Sequence, residues 1–511
     1  MTKLKERLKS LIRTEKPTAA LTTCIVIAVI VLLNVIAFTL TAAFGLYAYS
    51  PEYSDLTISG KTDSVFTGIS LGKEVTVTFC MEEDALRNSE TGSFVYSTAT
   101  QLAERYSFIK LKYVNMLTKR DERGELFDFE RYRTDMKGNE VPIRQNSVIF
   151  TQGANHRVLT DTYTSAGFAD FFSMNSSGEA YAYNGEEILV SMIAWVLRDE
   201  HKTAYLTEKH GESVDVNFVN MLTCAGYYVE TLNLREREVP SDAGLVVISN
   251  PTSDFYRLEQ SSGGRSEIER LESYLLRGGN LYVTVDPLVK QLPIFEGFLA
   301  EWGLEIVGMK NDSGVFSRAM VKNSDLGITT DGYSFVTEYA GGNISSNIKS
   351  LVTSYTDSRV LLGRAAAIKT YPTLGASPLL LSGDGSELSI FGERVKDEET
   401  PDGGYAVVAA SERENEDGSY AKILLVPSAY MLAADAVTSD RYSNKDYVYA
   451  TLYSFFGADA APLGCRTVTY DNTILENFTM RTARAMTALV LSVPAAIAVT
   501  GAVIIIKRKN R

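Results

Sequence analysis

This 511-residue chain has few of the side chains that bind metals or act as thiol nucleophiles. It contains 4 cysteines and 3 histidines. Cys24 lies in an apolar run near the amino terminus, while Cys80, Cys224 and Cys465 are far apart, with no CxxC spacing. Cysteines that are few, far apart and without CxxC pairs argue against a disulfide framework and against a zinc ribbon. The missing second cysteine after Cys80 also argues against thioredoxin-type disulfide chemistry.

Motifs for nucleotide hydrolysis and for acyl transfer are also absent. No glycine-rich segment carries the lysine of a P-loop, so the chain does not hydrolyse ATP by that route. No Gly-x-Ser/Cys-x-Gly turn follows a predicted strand; the segment after Asn250-Pro251 reads Thr252-Ser253-Asp254. We therefore expect no catalytic residue, no cofactor-binding residue and no metal ligand, and we predict that the protein is not an enzyme.

The charge distribution excludes one large class of partners. The net charge is −13. Residues 1–17 and 507–511 each carry a net charge of +4, so about −21 falls on the chain between them. A region this acidic argues against binding to nucleic acid and to anionic lipid headgroups.

Two long apolar runs predict a two-pass membrane protein. Residues 17–51 and 486–506 carry no charge, and each run is long enough for a spanning helix of about 20 residues. Basic residues flank both runs on the outer side, which places both termini in the cytoplasm. We predict transmembrane helices over 18–50 and 486–506, with basic cytoplasmic tails outside them and a large extracytoplasmic domain between them. A cleaved signal peptide and a buried core helix are the alternative interpretations of the first and second runs.

Residues 65–198 have the pattern of a mixed α/β domain. Residues 73–80 and 108–116 alternate as strands, and a helical segment, Ser97–Tyr106, lies between them. This strand–helix–strand order is typical of thioredoxin-like domains. Residues 146–160 predict a hairpin around Gly153, and Glu186–Arg198 predicts a helix with Trp195 in the core.

Residues 202–460 predict a doubly wound α/β domain. Short apolar strands beginning at residues 202, 227, 243 and 280 alternate with amphipathic helices that end at glycines. The polar, strand-rich segment 310–400 is predicted to be an insertion, after which the chain returns to the sheet. Residues 461–485 are predicted to connect this domain to the second apolar run.

The candidate ligand-binding residues lie where the predicted parallel strands end. They are Glu208, His210, Glu212, Asn250 and Asp286. Ligands of open α/β sheets bind at this edge, and the first three residues also precede a helix N-terminus. Three interpretations remain open for the His210 turn: a metal site, a catalytic acid or base, and a simple loop cap.

The chain resembles the GldG-like auxiliary components of ABC transporters, a family associated with gliding motility. The matching segments occur in the order of the family and cover most of residues 65–511. They are Gly185-Glu186-Glu187, TAYLTEKHGE, YYVETLNL, VPSDAGLVVISNP, YLLRGGNLYVTVDP, SDRYSNKDYVYATLYSFFG and the C-terminal apolar run with its basic tail. Lys209 is a departure, because the family tends to have glycine there.

The resemblance implies a non-enzymatic subunit. The middle domain of the family looks like a class I glutamine amidotransferase, whose nucleophilic cysteine is missing here. The expected partners are a separate ABC permease, a cytoplasmic ATPase subunit and the membrane, with an unknown extracytoplasmic ligand. Two alternatives remain: a free-standing cell-envelope sensor or adhesin, and a surface hydrolase that uses His210 and Glu208.

Overall fold

The computed structural model describes most of the chain between residues 56 and 469. The described residues are 56–66, 69, 72–160, 168–174, 180–256, 265–353, 359–395, 400–428, 430–439, 441–465 and 467–469. Ile58–Arg511 forms one compact unit, and the other unit, Met1–Thr57, lies almost wholly outside the described residues.

The first part of the described chain builds a five-stranded sheet. Its elements are α1 (Asp63–Phe66), β1 (Val75–Phe79), α2 (Glu83–Asn88), α3 (Gly92–Arg105), β2 (Ile109–Asn115), β3 (Arg120–Asp121), β4 (Val148–Gln152) and β5 (Asn155–Leu159). The strands pair in the order β3-β2-β1-β4-β5. β1 and β2 are parallel and connected through α2 and α3, which confirms the predicted strand–helix–strand unit. β4 and β5 form the predicted antiparallel hairpin, with Gly153 at a φ of 61°.

Helix α4 (Gly185–Val196) contacts the five-stranded sheet and a helix of the central sheet, which is described below. All of its 12 residues are buried. It packs against α3, β1, β4 and β5 of the first sheet and against α5 (Val216–Cys224), a helix of the central sheet. A helix that is buried on every side and mostly apolar is typical of a protein core. Strands β6 (Phe172–Met174) and β7 (Ala180–Tyr183) precede it, and β7 pairs with β25 (Val468–Thr469).

The central sheet contains a block of five parallel strands. They are β8 (Thr203–Thr207), β9 (Tyr228–Leu232), β10 (Ala243–Ser249), β11 (Asn280–Thr284) and β24 (Tyr420–Val426). Their order is β9-β8-β10-β11-β24. Helix α5 follows β8, α6 (Glu267–Leu275) follows β10, and α7 (Pro293–Glu301) follows β11. The protein is therefore a mixed α/β protein, as the sequence pattern predicts.

Both faces of the middle strands are buried. Val246 and Ile248 of β10 pack in the same core as Leu271 of α6 and Phe295 of α7, while Val247, on the opposite face of β10, is also fully buried. Such strands are nearly continuous in apolar residues because neither face contacts water. Helix α6 begins with a capping box between Ser266 and Glu269, which satisfies backbone N–H groups at its first turn.

Antiparallel strands extend the central sheet beyond β24. They are β12 (Leu304–Ile306), β17 (Glu338–Tyr339), β19 (Ile368–Thr370), β20 (Ala376–Leu381) and β23 (Ala406–Glu414). Three of them, β17, β19 and β20, come from the segment 310–400, so this segment contributes directly to the sheet. The remaining elements are β13 (Gly308–Lys310), β14 (Phe316–Arg318), β15 (Met320–Asn323), β16 (Ser334–Val336), α8 (Asn343–Thr353), β18 (Leu361–Gly363), β21 (Ser386–Ile390), β22 (Glu393–Arg394), α9 (Ala434–Val437) and α10 (Asn444–Ser454).

Two adjacent glutamates at the start of α4 bind segments from both ends of the described chain. The Glu186 carboxylate accepts hydrogen bonds from the Ser59 N–H (2.8 Å), the Ser59 hydroxyl (2.7 Å) and the Thr62 hydroxyl (2.5 Å). The Glu187 carboxylate pairs with Lys445 of α10 at 2.7 Å. The Lys445 ammonium also donates to the Cys465 carbonyl (3.2 Å) and to the Thr467 hydroxyl (2.8 Å).

The Lys445–Glu187 pair is buried and charged. Burial disfavours the ammonium, but the Glu187 and Asp446 carboxylates outweigh this effect and hold the pKa of Lys445 above its usual value. The Tyr449 hydroxyl donates to the other oxygen of Glu187. A buried ion pair whose remaining atoms also form hydrogen bonds makes the local structure intolerant of losing either partner.

The structure corrects the predicted membrane topology. In the part of the chain that the structure describes, no helix is long and apolar enough to cross a membrane. The 14-residue helix α3 rises only about 21 Å at 1.5 Å per residue, whereas the hydrocarbon core is about 30 Å thick. This finding contradicts the prediction of a two-pass membrane protein with cytoplasmic termini and an extracytoplasmic domain. The apolar runs 17–51 and 486–506 and the two tails lie outside the described residues.

We predict that Lys445→Met destabilises the protein by about 3–5 kcal/mol, because the Glu187 carboxylate would remain buried without its cation. The free energy of unfolding measured by urea denaturation tests this expectation. Lys73→Met is the matched control, because the Lys73–Asp199 pair is largely exposed and its loss should cost at most about 1 kcal/mol. Equal effects of the two substitutions would contradict the structural role assigned to Lys445.

Candidate functional site

The carboxyl ends of β8, β10 and β11 lie side by side, so the segments that follow these strands meet at one edge of the central sheet. Ser213, in the loop after β8, donates its N–H to the carbonyl of Ser249 at the end of β10 (3.0 Å). The Ser249 hydroxyl donates back to the Ser213 carbonyl (2.7 Å). The Asn250 N–H donates to the carbonyl of Thr284 at the end of β11 (2.9 Å). These hydrogen bonds fix the loops that carry the predicted site residues.

His210 is held between two carboxylates. Its Nδ1 lies 3.1 Å from the Glu212 carboxylate and its Nε2 lies 3.0 Å from the Glu267 carboxylate. Carboxylates only accept hydrogen bonds when they are ionised, so both ring nitrogens must donate and the ring is an imidazolium. The His210 side chain is 0% exposed, as is that of Glu267. The sequence prediction included His210 and Glu212 but not Glu267.

The charges of this triad support one another. Burial disfavours the imidazolium, but the hydrogen bonds to Glu212 and Glu267 outweigh burial and raise the pKa of His210 above its usual value. Burial likewise opposes the ionisation of Glu212, and the His210 ring and backbone N–H groups overcome it and lower the pKa of Glu212. The Arg235 Nε lies 3.6 Å from the second oxygen of Glu267 and adds a further positive charge.

The backbone of the His210 turn is shaped to bury the ring. Lys209 and Gly211 on either side have φ values of 87° and 71°. A Cβ at position 211 would lie 2.1 Å from the Thr252 hydroxyl oxygen, so glycine is required there. The His210 carbonyl accepts hydrogen bonds from the N–H groups of Thr252 (2.8 Å) and Ser253 (2.9 Å). The His210 ring stacks on Phe255 at 4.1 Å between centroids, which covers one of its faces.

The other predicted site residues do not join this triad. Glu208 is 40% exposed and pairs with Lys209 at 3.6 Å. The Asp286 carboxylate caps its own turn by accepting the Leu288 N–H at 2.9 Å. Asn250 adopts a φ of 48°, and its Oδ1 is buried without a hydrogen-bond partner among the described residues.

Arg318 occupies the space after β11, a role that the sequence did not indicate. Its side chain is 0% exposed and pairs with Glu296 of α7 at 2.7 Å. Its guanidinium also donates to the carbonyls of Asp286 (3.4 Å), Pro287 (3.4 Å), Val289 and Lys290 (3.2 Å). The carbonyls after β11 are therefore satisfied from within the chain by a residue of β14.

The cysteines outside the apolar run near the amino terminus are buried and unsuited to nucleophilic chemistry. Cys80, Cys224 and Cys465 are free thiols in buried positions. Burial raises the pKa of the Cys80 and Cys224 thiols to about 12, and it raises that of Cys465 as well. The thiolate is the reactive form, so these groups are inert near neutral pH. The described residues also contain no cluster of three or more His, Cys, Asp or Glu able to hold a metal ion.

Two concave surfaces lie away from the His210 turn. A groove of about 340 Å³ at the carboxyl ends of β1 and β2 is lined by Cys80, Met81, Glu82, Ala85, Asn115, Met116, Leu117 and Gln145. Leu117 on its rim is 95% exposed. A smaller cleft of about 30 Å³ lies beside the Lys445–Glu187 pair and is lined in part by Asp170, Asn184 and Asn217. The second volume is close to the space of one water molecule.

Comparisons with known proteins yield only distant structural likenesses. No protein-family model matches the sequence, and no curated protein matches it. Among solved structures, the mmIFT52 N-terminal domain is 14% identical, with 50% of this chain and 97% of that chain covered at a TM-score of 0.35. A ThuA-like protein from Bacteroides uniformis is 12% identical, with 51% and 94% covered at 0.30. The Salmonella typhimurium protein STM3548 is 10% identical, with 49% and 97% covered at 0.29. None of these likenesses is close enough to assign a function.

We predict that His210→Gln destabilises the protein most between about pH 4.5 and 6.5, by about 3 kcal/mol, because two buried carboxylates lose their cation. The raised pKa of His210 means that its stabilisation is complete below the unfolded value of about 6.5 and is lost as pH rises through the folded pKa. The lowered pKa of Glu212 means that its stabilisation is present above about 4.5 and is lost as pH falls through the folded pKa.

Denaturant unfolding of the wild type and of His210→Gln across pH 4 to 9 measures the difference in their free energies of unfolding. His156→Gln is the matched control, because the His156 ring binds the Thr134 carbonyl at 2.7 Å and not a carboxylate. A difference between wild type and His210→Gln that does not change with pH would show that the triad is not charged as described.

Proposed function

We propose that this protein is a non-enzymatic auxiliary subunit of an ABC transporter, which acts by binding a ligand and a partner. The observation that carries the proposal is the state of His210, the titratable ring among the predicted site residues. Both ring nitrogens are bound by carboxylates, one face is stacked on Phe255, and the side chain is inaccessible. A general acid or base must reach the proton of a bound substrate, and this ring is held away from any substrate.

The end of β10 supports the same conclusion. We infer that the parallel block belongs to a doubly wound, glutamine amidotransferase-like domain, and that the five-stranded sheet belongs to a thioredoxin-like one. Hydrolases that carry a nucleophile elbow place it on a strained turn between a strand and a helix. Asn250 directly follows the end of β10 with a φ of 48°, and an amide is not a nucleophile of that kind. The position after β10 therefore carries no nucleophile, which supports a binding role over a hydrolytic one.

The partners follow from the resemblance to the GldG-like family. This chain has no P-loop, so energy from ATP must come from a separate ATPase subunit, and a separate permease must provide the transport path. The acidic character of the chain, with a net charge of −13, is compatible with protein or small-molecule partners and unfavourable for nucleic acid.

Affinity purification of the tagged full-length protein from a mild-detergent cell extract, with mass spectrometry of the bound proteins, tests this proposal. We expect a permease with many spans and a P-loop ATPase to copurify in fixed ratio. The same tag on an unrelated protein of similar net charge controls for nonspecific ionic binding. A protein recovered alone from a well-solubilised extract would reject the transporter role and favour a free-standing sensor or adhesin.

A further inference from the structure

Arg157 of β5 is a half-buried arginine without an anionic partner in the part of the chain that the structure describes. Among those residues, no carboxylate forms an ion pair with its guanidinium, and no hydrogen bond from the guanidinium is formed. Its Nη1 is sealed from solvent and has no hydrogen-bond partner among the described residues. Burying part of a charged group without a counter-charge is costly, so a native structure rarely leaves such a group unsatisfied.

Further unsatisfied polar atoms surround Arg157. The guanidinium carbon lies 4.8 Å from the centre of the Trp195 ring and 5.6 Å from the centre of the Tyr228 ring. His201 stacks on Trp195 at 3.5 Å with an angle of 4° between the planes. Trp195 Nε1, His201 Nδ1 and the Tyr228 hydroxyl are all buried without a partner, and so is the Nε of Arg198. Four of these five orphaned groups are hydrogen-bond donors in every tautomer, and the fifth is a histidine nitrogen.

The electrostatics of the cluster are positive. Burial, together with the Arg157 and Arg198 guanidinium groups, lowers the pKa of His201 to about 4. Two acidic groups of the neighbourhood, Asp199 and Asp135, are already engaged. Asp199 pairs with Lys73 at 3.1 Å, and Asp135 accepts the N–H groups of Lys137 (2.9 Å) and Asn139 (2.8 Å) in its own turn.

We propose that Arg157, together with Trp195, His201, Arg198 and Tyr228, forms a binding site for a small oxyanion, either a carboxylate or a phosphate group. An oxyanion offers hydrogen-bond acceptors and a negative charge. These are the partners that the unsatisfied donors and the Arg157 charge lack. Arginine suits the role because its planar fork donates two parallel hydrogen bonds to such a group. The aromatic rings hold the guanidinium in place by stacking, so the fork is oriented before the ligand binds. This site does not depend on the transporter role.

The position of the site couples the two large sheets. Arg157 belongs to the five-stranded sheet, Trp195 to α4, and Tyr228 to the edge strand of the central sheet. The Lys137 ammonium also lies over the Tyr228 ring, 5.0 Å from its centre. A bound oxyanion would therefore contact residues from both sheets and stabilise their packing.

Titration of the full-length protein with inorganic phosphate and, separately, with acetate tests the proposal. The chain has two tryptophans, so Trp302→Phe leaves Trp195 as the only fluorophore of this kind. We expect a saturable change in Trp195 emission at up to about 10 mM ligand, ten times a 1 mM dissociation constant, beyond that produced by chloride at the same ionic strength. Saturation by phosphate alone or acetate alone identifies the preferred group, and saturation by both identifies a general oxyanion site.

Two arginine variants locate the binding. Arg157→Met should weaken it at least about tenfold in calorimetric titration, because the charge-assisted hydrogen bonds are lost. Arg413→Met is the matched control: Arg413 also stacks on a tryptophan, with its guanidinium carbon 4.2 Å from the Trp302 ring centre, but it already donates to the Leu374 carbonyl at 2.9 Å. Arg157→Lys provides a second test if the methionine variant does not fold.

Two results would overturn the proposal. The first is the absence of any saturable effect of phosphate or acetate beyond that of chloride on the folded protein, which would leave water as the partner of the orphaned atoms. The second is binding that is unchanged in folded Arg157→Met or Arg157→Lys, which would place the anion elsewhere.

Discussion

The burial of helix α4 on every side is the constraint on which the rest of the structure depends. The helix packs against the five-stranded sheet and against a helix of the central sheet, so the core of each depends on it. Its first turn carries Glu186 and Glu187, the two carboxylates that bind Ser59 and Lys445. Apolar packing along the helix and buried ionic hydrogen bonds at its start therefore act on the same element.

Charged side chains at the carboxyl edge of the central sheet form buried contacts within the chain. In an α/β enzyme the carboxyl ends of the strands hold polar side chains for a ligand. Here His210 pairs with Glu212 and Glu267, and Arg318 satisfies the carbonyls that follow β11. The polar residue types at this edge resemble those of an active site, but their side chains form hydrogen bonds and ion pairs within the protein. A cluster of unsatisfied donors lies elsewhere, around Arg157 and Tyr228, the first residue of the edge strand β9.

The sequence predicted local structure well because local structure depends on neighbouring residues. The alternation of residues 73–80 and the continuous apolar strand 243–249 were sufficient to locate β1 and β10. Contacts between distant segments were not predictable. His210 and Glu212 are two residues apart and were recognised together, whereas Glu267, 57 residues from His210, resembled an ordinary first-turn glutamate of α6. Arg157 and Arg318 gave no signal, because an isolated arginine in a short strand is normally exposed. The membrane prediction depended on the length of the apolar runs and on the basic residues beside them, and no described helix supports it.

The pairing of β11 with β24 has a consequence for how the chain folds. Residues 285–419 separate these two parallel neighbours in sequence, so the centre of the sheet cannot close until a long segment has been brought back to it. The entropy of closing a loop grows only slowly with its length, so the cost in stability is modest. Contacts between residues far apart in sequence nevertheless slow folding strongly. During synthesis β8 to β11 emerge well before β24, and the unpaired edge of β11 must wait, exposed to other strands, for its partner.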